Sequence, residues 1–301
     1  MQIPNLTIMI TINIFKKTIR FDVTNQEAEG EKMKNSNSLE IKNLSSQING
    51  QQILNNFNLK IKKDSIHSVL FKNKQSKNEL LKFLTAKKDF ENAELIIEGA
   101  NISREQLQNL NQNKIYLIDQ YSAVNPEKDP LGVFQFNKKG NTEKKSTVFP
   151  EMTVAENIFF GREPLKSFLF FKSIDNQKMV ELTEELISLL TIDLSPDQKM
   201  VELSPLEKQL VAVLKALSCR VEILIIDQAV VNLASDKKKI FFNFLKKLKA
   251  KGITIVNFTS DIKEVFISSD YVSVLKDGQS KGEYKVSQLE YNELALLLMG
   301  E

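Results

Sequence analysis

The chain has 301 residues, with 41 Lys+Arg against 38 Asp+Glu for a formal net charge of +3, and a hydrophobic fraction of 42%. These values suit one large globular domain or two closely joined lobes, and they lack the basic excess that tracks nucleic-acid phosphates. Cys219 is the only cysteine and His67 the only histidine, which excludes an internal disulfide, a thiolate metal cluster and histidine-rich metal sites; a reducing cytoplasm is the expected setting.

No apolar run is long enough to cross a bilayer. The N-terminal run 6–15 is followed, not preceded, by Lys16, Lys17 and Arg20, the reverse of a secretory signal. Residues 25–38 are rich in Glu, Lys, Asn and Ser. Residues 1–38 are therefore expected to form a flexible leader and linker, with order beginning at Leu39. Leu39-Glu40-Ile41-Lys42-Asn43-Leu44 alternates like a half-buried strand, Asn49-Gly50 signals a turn, and Phe57-Asn58-Leu59-Lys60-Ile61 alternates again. Ile66-His67-Ser68-Val69-Leu70 is apolar enough for a central strand, and Leu80, Leu81, Phe83 and Leu84 then take helical spacing. Strand, short loop and helix in that order is the context a phosphate-binding loop needs.

Further strands are expected at Leu95-Ile96-Ile97, Ile115-Tyr116-Leu117-Ile118, Ile223-Leu224-Ile225-Ile226-Asp227, 252–256 and Val272-Ser273-Val274-Leu275. Helical spacing marks 153–160, 176–190, the run from Pro205 to Leu217, and 238–249. A polar stretch at about 125–147, with Pro126, Pro130, Gly132 and Gly140, is expected to be an inserted, exposed loop. Alternating strands and helices predict an α/β fold, a mostly parallel sheet with helices on both faces. His67 is expected as a strand residue without chemistry, Cys219 as a small buried side chain after a helix, and the lysines at 237–239 and 246–247 as solvated helix faces.

Several segments, in the right order, resemble the ATP-binding subunits of bacterial sugar importers of the ribose and galactose type. The most specific is Val154-Ala155-Glu156-Asn157-Ile158-Phe159-Phe160-Gly161-Arg162-Glu163-Pro164. Ser65-Ile66-His67-Ser68-Val69, Asp270-Tyr271-Val272-Ser273-Val274-Leu275-Lys276-Asp277-Gly278 and Leu298-Met299-Gly300-Glu301 join it. The resemblance covers 39–301. It implies a P-loop NTPase (RecA-like) sheet core with an antiparallel β edge, and a helical subdomain at about 152–217. It also implies ATP and Mg²⁺ as cofactors, with permease subunits and a second nucleotide-binding cassette as partners. The location implied is cytoplasmic, peripheral on the inner face of the cell membrane and held there only through the permease. Nucleic acid is not among the expected partners.

The family's functional motifs fall on altered residues. Its phosphate loop, G-x-x-G-x-G-K-S-T, falls on 71–79, where only Lys77 survives. Phe71, Lys74 and Ser76 stand where glycines let backbone N–H groups converge on phosphate, and replacing such a glycine costs about 1 kcal/mol. Asn78 replaces the hydroxyl that binds Mg²⁺, and Glu79 is expected to place a carboxylate near the phosphates, with Lys72 and Lys74 opposing it. Ile48 falls on the adenine-stacking position, and Gln120 on the glutamine that senses Mg²⁺ and the γ-phosphate. The signature sequence becomes Leu203-Ser204-Pro205-Leu206-Glu207, in which Pro205 removes an N–H, Leu206 adds bulk and Glu207 adds charge. Asp227 remains at the metal-binding carboxylate, Gln228 stands at the catalytic glutamate and Ser260 at the switch histidine. An amide cannot take a proton from water, so the general-base role is lost at Gln228.

The resemblance thus assigns Lys77, Asn78, Gln120, Asp227 and Ser204 to nucleotide binding, Asn78, Gln120 and Asp227 to weakened Mg²⁺ binding, and Gln228 and Ser260 to degenerate catalytic positions. Two functions are expected: a degenerate ATP-binding subunit of a sugar transporter working with an intact cassette, or a soluble pseudo-ATPase with a regulatory or scaffolding role. An active ATPase ranks third.

Overall fold

The computed structural model describes residues 10–14, 17–21, 37–88, 92–119, 149–168 and 171–299. The chain divides into two compact units, Met1–Lys34 and Asn35–Glu301. In the first, β1 (Ile10–Ile14) and β2 (Lys17–Phe21) pair antiparallel, with Ile12 opposite Ile19. These two strands lie within the segment expected as leader.

The second unit runs β3 (Asn37–Ile48), β4 (Gln51–Lys62), β5 (Ile66–Phe71), α1 (Lys74–Leu84), β6 (Glu94–Ile97), β7 (Ala100–Asn101), α2 (Arg104–Asn113) and β8 (Ile115–Asp119). It continues with α3 (Val154–Phe159), β9 (Leu165–Phe168), β10 (Phe171–Ile174), α4 (Asn176–Ile187), α5 (Pro205–Ser218) and β11 (Ile223–Asp227). Then follow α6 (Ser235–Lys249), β12 (Thr254–Thr259), α7 (Ile262–Ser268), β13 (Tyr271–Lys276), β14 (Gln279–Lys285) and α8 (Tyr291–Met299).

A six-stranded sheet in the order β14-β13-β5-β12-β11-β8 forms the centre. All its pairings are parallel except β13 with β14. Every residue of β5 and β12 is buried, as expected for parallel strands covered on both faces. Their polar members find partners: Asn257 Nδ2 donates to Ser68 Oγ at 3.3 Å, and Ser68 Oγ lies 2.6 Å from Ser269 Oγ. A second, antiparallel sheet in the order β4-β3-β6-β7 supplies the β edge. Its inward positions, among them Leu39, Ile41, Phe57 and Leu59, share one apolar cluster with Val69, Ile225 and Phe258 of the central sheet and Leu80 of α1.

The two sheets meet where β4 passes the β13–β14 turn. Asn55 N–H donates to the Gly278 carbonyl at 2.9 Å, and Ser76 Oγ donates to the Ile53 carbonyl at 3.1 Å. Gly278 has φ +74°, and a Cβ there would collide with the Ile53 backbone, so glycine is required on both counts. On the other face, α3, α4 and α5 pack together through Val154, Ile158, Met179, Leu182, Leu210 and Leu214. All three helices lie within residues 154–218. Among the described residues no helix is long and apolar enough to cross a membrane.

The expected strands and helices are present with shifted ends: the strand placed at 252–256 occupies Thr254–Thr259, the helix placed at 176–190 stops at Ile187, and the helix placed at 238–249 begins at Ser235. The polar loop at 125–147 lies outside the described residues. One expectation is corrected. Lys238 is not on a solvated face, because its ammonium lies 2.7 Å from Glu264 Oε1 and 3.7 Å from Asp261 Oδ2.

Candidate functional site

The carboxyl ends of the parallel strands β5, β12 and β11 gather the candidate residues, the edge where open α/β sheets bind ligands. Lys77 follows β5, Asp227 closes β11 with Gln228 just beyond, and Ser260 follows β12. Asp227 is in register with Phe258 on the neighbouring strand.

Between β5 and α1 only Lys72 and Asn73 remain outside regular structure, because α1 already begins at Lys74. Asn73 caps the helix: its side-chain oxygen accepts from Gln75 N–H at 2.7 Å, a role asparagine fills well. The expected nine-residue phosphate loop is therefore mostly helix. Lys77 N–H is spent on the Asn73 carbonyl at 3.3 Å. A helix leaves each such N–H aimed along its axis instead of inward at a ligand.

The Lys77 side chain is buried and its ammonium donates to both Asp227 oxygens, at 2.7 and 2.6 Å. The Phe71 ring lies beside it, 5.6 Å from ammonium to centroid, within cation–π range. Two of the residues that the family pattern leaves unchanged thus neutralise each other. Gln228 takes a left-handed backbone with φ +52°, and its N–H donates to the Phe258 carbonyl at 3.1 Å. Asn78 and Ser260 are solvent-exposed. Among the described residues no hydrogen bond or ion pair joins Asn78, Ser204 or Ser260 to the Lys77–Asp227 pair. Gln120 lies outside the described residues.

Glu79 corrects an expectation. Its carboxylate is not set against a phosphate position but is 1% exposed and held by Lys82 at 2.6 Å and Lys88 at 2.7 Å. Burial alone would push its pKa up, but the bonds from the two ammonium groups outweigh it and hold the carboxyl below its ordinary value. The Glu79/Lys82 spacing of three on a helix was a readable signal for that pairing.

The signature segment is likewise reorganised. Ser204 is the N-cap of α5, its Oγ accepting from Glu207 N–H at 3.4 Å, while Glu207 Oε2 accepts from Ser204 N–H at 2.6 Å. This reciprocal capping box was legible as Ser-x-x-Glu. Pro205 occupies the first helical position, where its missing N–H would be unpaired anyway, and Leu206 is buried in the core instead of facing outward. The positive end of α5 is occupied by its own glutamate.

Burial shifts two ionisable groups near the helical cluster, Lys215 on α5 and Tyr116 on β8. Burial, and then the charge of Arg162, brings the Lys215 pKa down to about 8, with Cys219 acting against them. The Tyr116 hydroxyl is pushed up to about 12, first by burial. Lys215 Nζ lies 5.8 Å from the Phe160 ring centroid. Cys219 closes α5, after a helix as expected, but it is half-buried and not buried. His67 is fully buried; its Nε2 lies 2.8 Å from Ser273 Oγ, and its Nδ1 has no partner. Burial, reinforced by Lys62, lowers its pKa to about 3.

The family pattern described as ABC transporter matches residues 54–231, more than half of the 301. The chain belongs to the ABC transporter family. Both Lys77 and Asp227 lie in the matched span. The xylose import ATP-binding protein of Thermoanaerobacter pseudethanolicus is 28% identical over 264 residues, which is 87% of this chain and 47% of that protein. The galactose/methyl galactoside import ATP-binding protein of Clostridium perfringens is 27% identical over 265 residues, 88% of this chain and 46% of that one. The chain thus spans about half the length of the curated relatives it matches. Among solved structures, a nucleotide-free ATP-binding cassette from an ABC transporter superposes with a TM-score of 0.66 at 22% identity, covering 88% of this chain and 96% of that one. That similarity establishes the P-loop NTPase fold of the cassette.

Proposed function

We propose that this cassette is a degenerate ATP-binding subunit of a sugar transporter, unable to hydrolyse ATP itself. It works with permease subunits and an intact second cassette at the cytoplasmic face of the membrane. The observation that carries this reading is the bidentate Lys77–Asp227 pair. The ammonium that would meet the β/γ-phosphates and the carboxylate that would serve Mg²⁺ are engaged with each other. Three further features support it: the helix that begins at Lys74, the amide of Gln228 where a general base belongs, and the Glu207 carboxylate at the N-terminus of α5. Set against the Mg²⁺–ATP of the family, these residues do not fit a hydrolytic site. Sugar import as the setting rests on the relatives, which are import ATP-binding proteins over 87–88% of this chain.

Titration of the purified chain with a fluorescent ATP analogue, with and without Mg²⁺, tests the reading together with a turnover assay. Turnover at background and affinity at least tenfold below that of an intact cassette are expected. Mg²⁺-dependent turnover abolished by Lys77→Ala would overturn it. Recovery of neither a permease nor a second cassette from detergent-solubilised membranes would remove the transport setting and leave a soluble pseudo-ATPase.

A further inference from the structure

The ribbon formed by β9 and β10 leaves both of its faces in water. Leu165 pairs with Ile174, Lys166 with Ser173, Ser167 with Lys172, and Phe168 with Phe171. Side chains alternate across a strand, so Leu165, Ile174, Ser167 and Lys172 share one face, while Lys166, Ser173 and Phe171 lie on the other. Leu165 is 59% exposed, Phe171 77% and Ile174 48%; all four residues of β10 are exposed. A two-stranded ribbon is marginal in water without a surface to cover it. This one is tied to the lobe at its base, where Asp175 N–H donates to the Pro164 carbonyl at 2.7 Å.

Charge indicates what covers it. Residues 164–174 contain Lys166 and Lys172 and no acid. The flanking acids are used locally: Glu163 Oε1 accepts from Gly161 N–H at 2.9 Å and Asp175 Oδ1 accepts from Lys178 N–H at 3.1 Å. Among the described side chains, one face carries Leu165 and Ile174 with Lys172, and the other carries Phe171 with Lys166. A protein groove would cover one face and leave the other wet. An interface that surrounds the ribbon, apolar in depth and anionic above, suits both faces together, with the lysine stems extending up to the headgroups.

We propose that the β9–β10 ribbon is a membrane-contact element, inserting Leu165, Phe171 and Ile174 into the interface of an anionic bilayer while Lys166 and Lys172 meet its headgroups. This contact is direct, in addition to any made through a permease, and it does not depend on the nucleotide reading.

The chain contains no tryptophan, so Phe171→Trp supplies a single reporter on the ribbon. With phosphatidylglycerol-containing vesicles its emission shifts to the blue and is quenched by brominated lipid; with pure phosphatidylcholine vesicles it stays unchanged. The unlabelled chain co-sediments with the anionic vesicles, less so as salt rises. Lys166→Glu and Lys172→Glu each lower the partition coefficient by roughly fivefold or more, and Phe171→Ser lowers it as well. These positions are exposed, so the variants should melt with the parent chain, which circular dichroism verifies. Unchanged Trp emission with anionic vesicles, or sedimentation indifferent to all three substitutions, would overturn the proposal. So would variants that lose a permease in detergent while the parent chain shows no affinity for lipid, a result that assigns the ribbon to a protein groove.

Discussion

The Lys77 ammonium spans from α1 to both oxygens of Asp227 at the end of β11, with side-chain exposures of 6% and 13%. Because β12 lies between β5 and β11 in the sheet, the pair reaches across a whole strand to join two elements that share no ladder. Removing one partner of such a pair strands the other charge in a low-dielectric setting. Asp227→Asn should therefore lower unfolding free energy by about 3 kcal/mol, and a Lys77→Met, Asp227→Leu double variant should recover most of it. Urea denaturation followed by circular dichroism measures both, through the midpoint at constant slope.

Gln228 is one residue from that pair, and restoring the acid there is the simplest attempt at reviving hydrolysis. Gln228→Glu alone should leave Mg²⁺-ATP turnover at background, since Lys77 stays bound to Asp227 and Glu207 stays on α5. A phosphate-release assay showing turnover with this one change would count against the proposed function.

Ser204 contributes to stability through its cap. Ser204→Ala should cost about 1 kcal/mol, read as a lowered melting temperature. Glu207→Gln keeps an acceptor on the side chain and should cost less than that, while Glu207→Ala should approach the Ser204→Ala loss.

His67 is fully buried, with a pKa near 3 against an ordinary value of 6.5. Between those limits the unfolded chain binds a proton that the folded chain refuses, so stability rises with pH there. Acidification from pH 6.5 towards 3 should therefore destabilise the chain, and His67→Gln should flatten that part of the profile. As the only histidine, it also gives one imidazole signal by NMR, which should not titrate between pH 8 and 5 in the folded protein.

Lys215 works in the alkaline range. Its folded pKa of about 8 lies below the ordinary 10.5, so between the two the unfolded chain binds more protons and stability increases with pH. Lys215→Met removes the buried charge and should stabilise the chain at pH 7 by up to about 3 kcal/mol. The gain should shrink towards zero as pH passes 8 and approaches 10.5, as melting curves across that range would record.

The fold was legible because its central strands are unbroken apolar runs such as Ile223-Leu224-Ile225-Ile226, and because scaffold segments such as 154–164 keep their order. Lys77 and Asp227 were legible as site residues from the elements flanking them. Their direct union was not, since it depends on α1 starting at Lys74, and that start follows from the Asn73 cap and not from any motif. At Glu79 and Glu207 the family motif points to charges facing a ligand, whereas local helix chemistry decides their partners. Spacing of three to Lys82, and of three from Ser204, carried the better signal. The β9–β10 ribbon carries no readable sequence signal, since two four-residue strands between helices are too short to show a period.

The seam at Ile53 has a consequence for how the molecule comes apart. The Ile53 carbonyl accepts from Ser76, Asn55 N–H donates to the Gly278 carbonyl, and a Cβ at Gly278 would collide with the Ile53 backbone. These bonds fasten the antiparallel sheet both to α1 and to the β13–β14 turn, beside the apolar cluster the two sheets share. Amide protons of β4 and β13 should therefore exchange with a common opening free energy, as members of one cooperative block. A fragment ending between the two sheets would expose Leu39, Phe57 and Val69 together and should aggregate instead of folding.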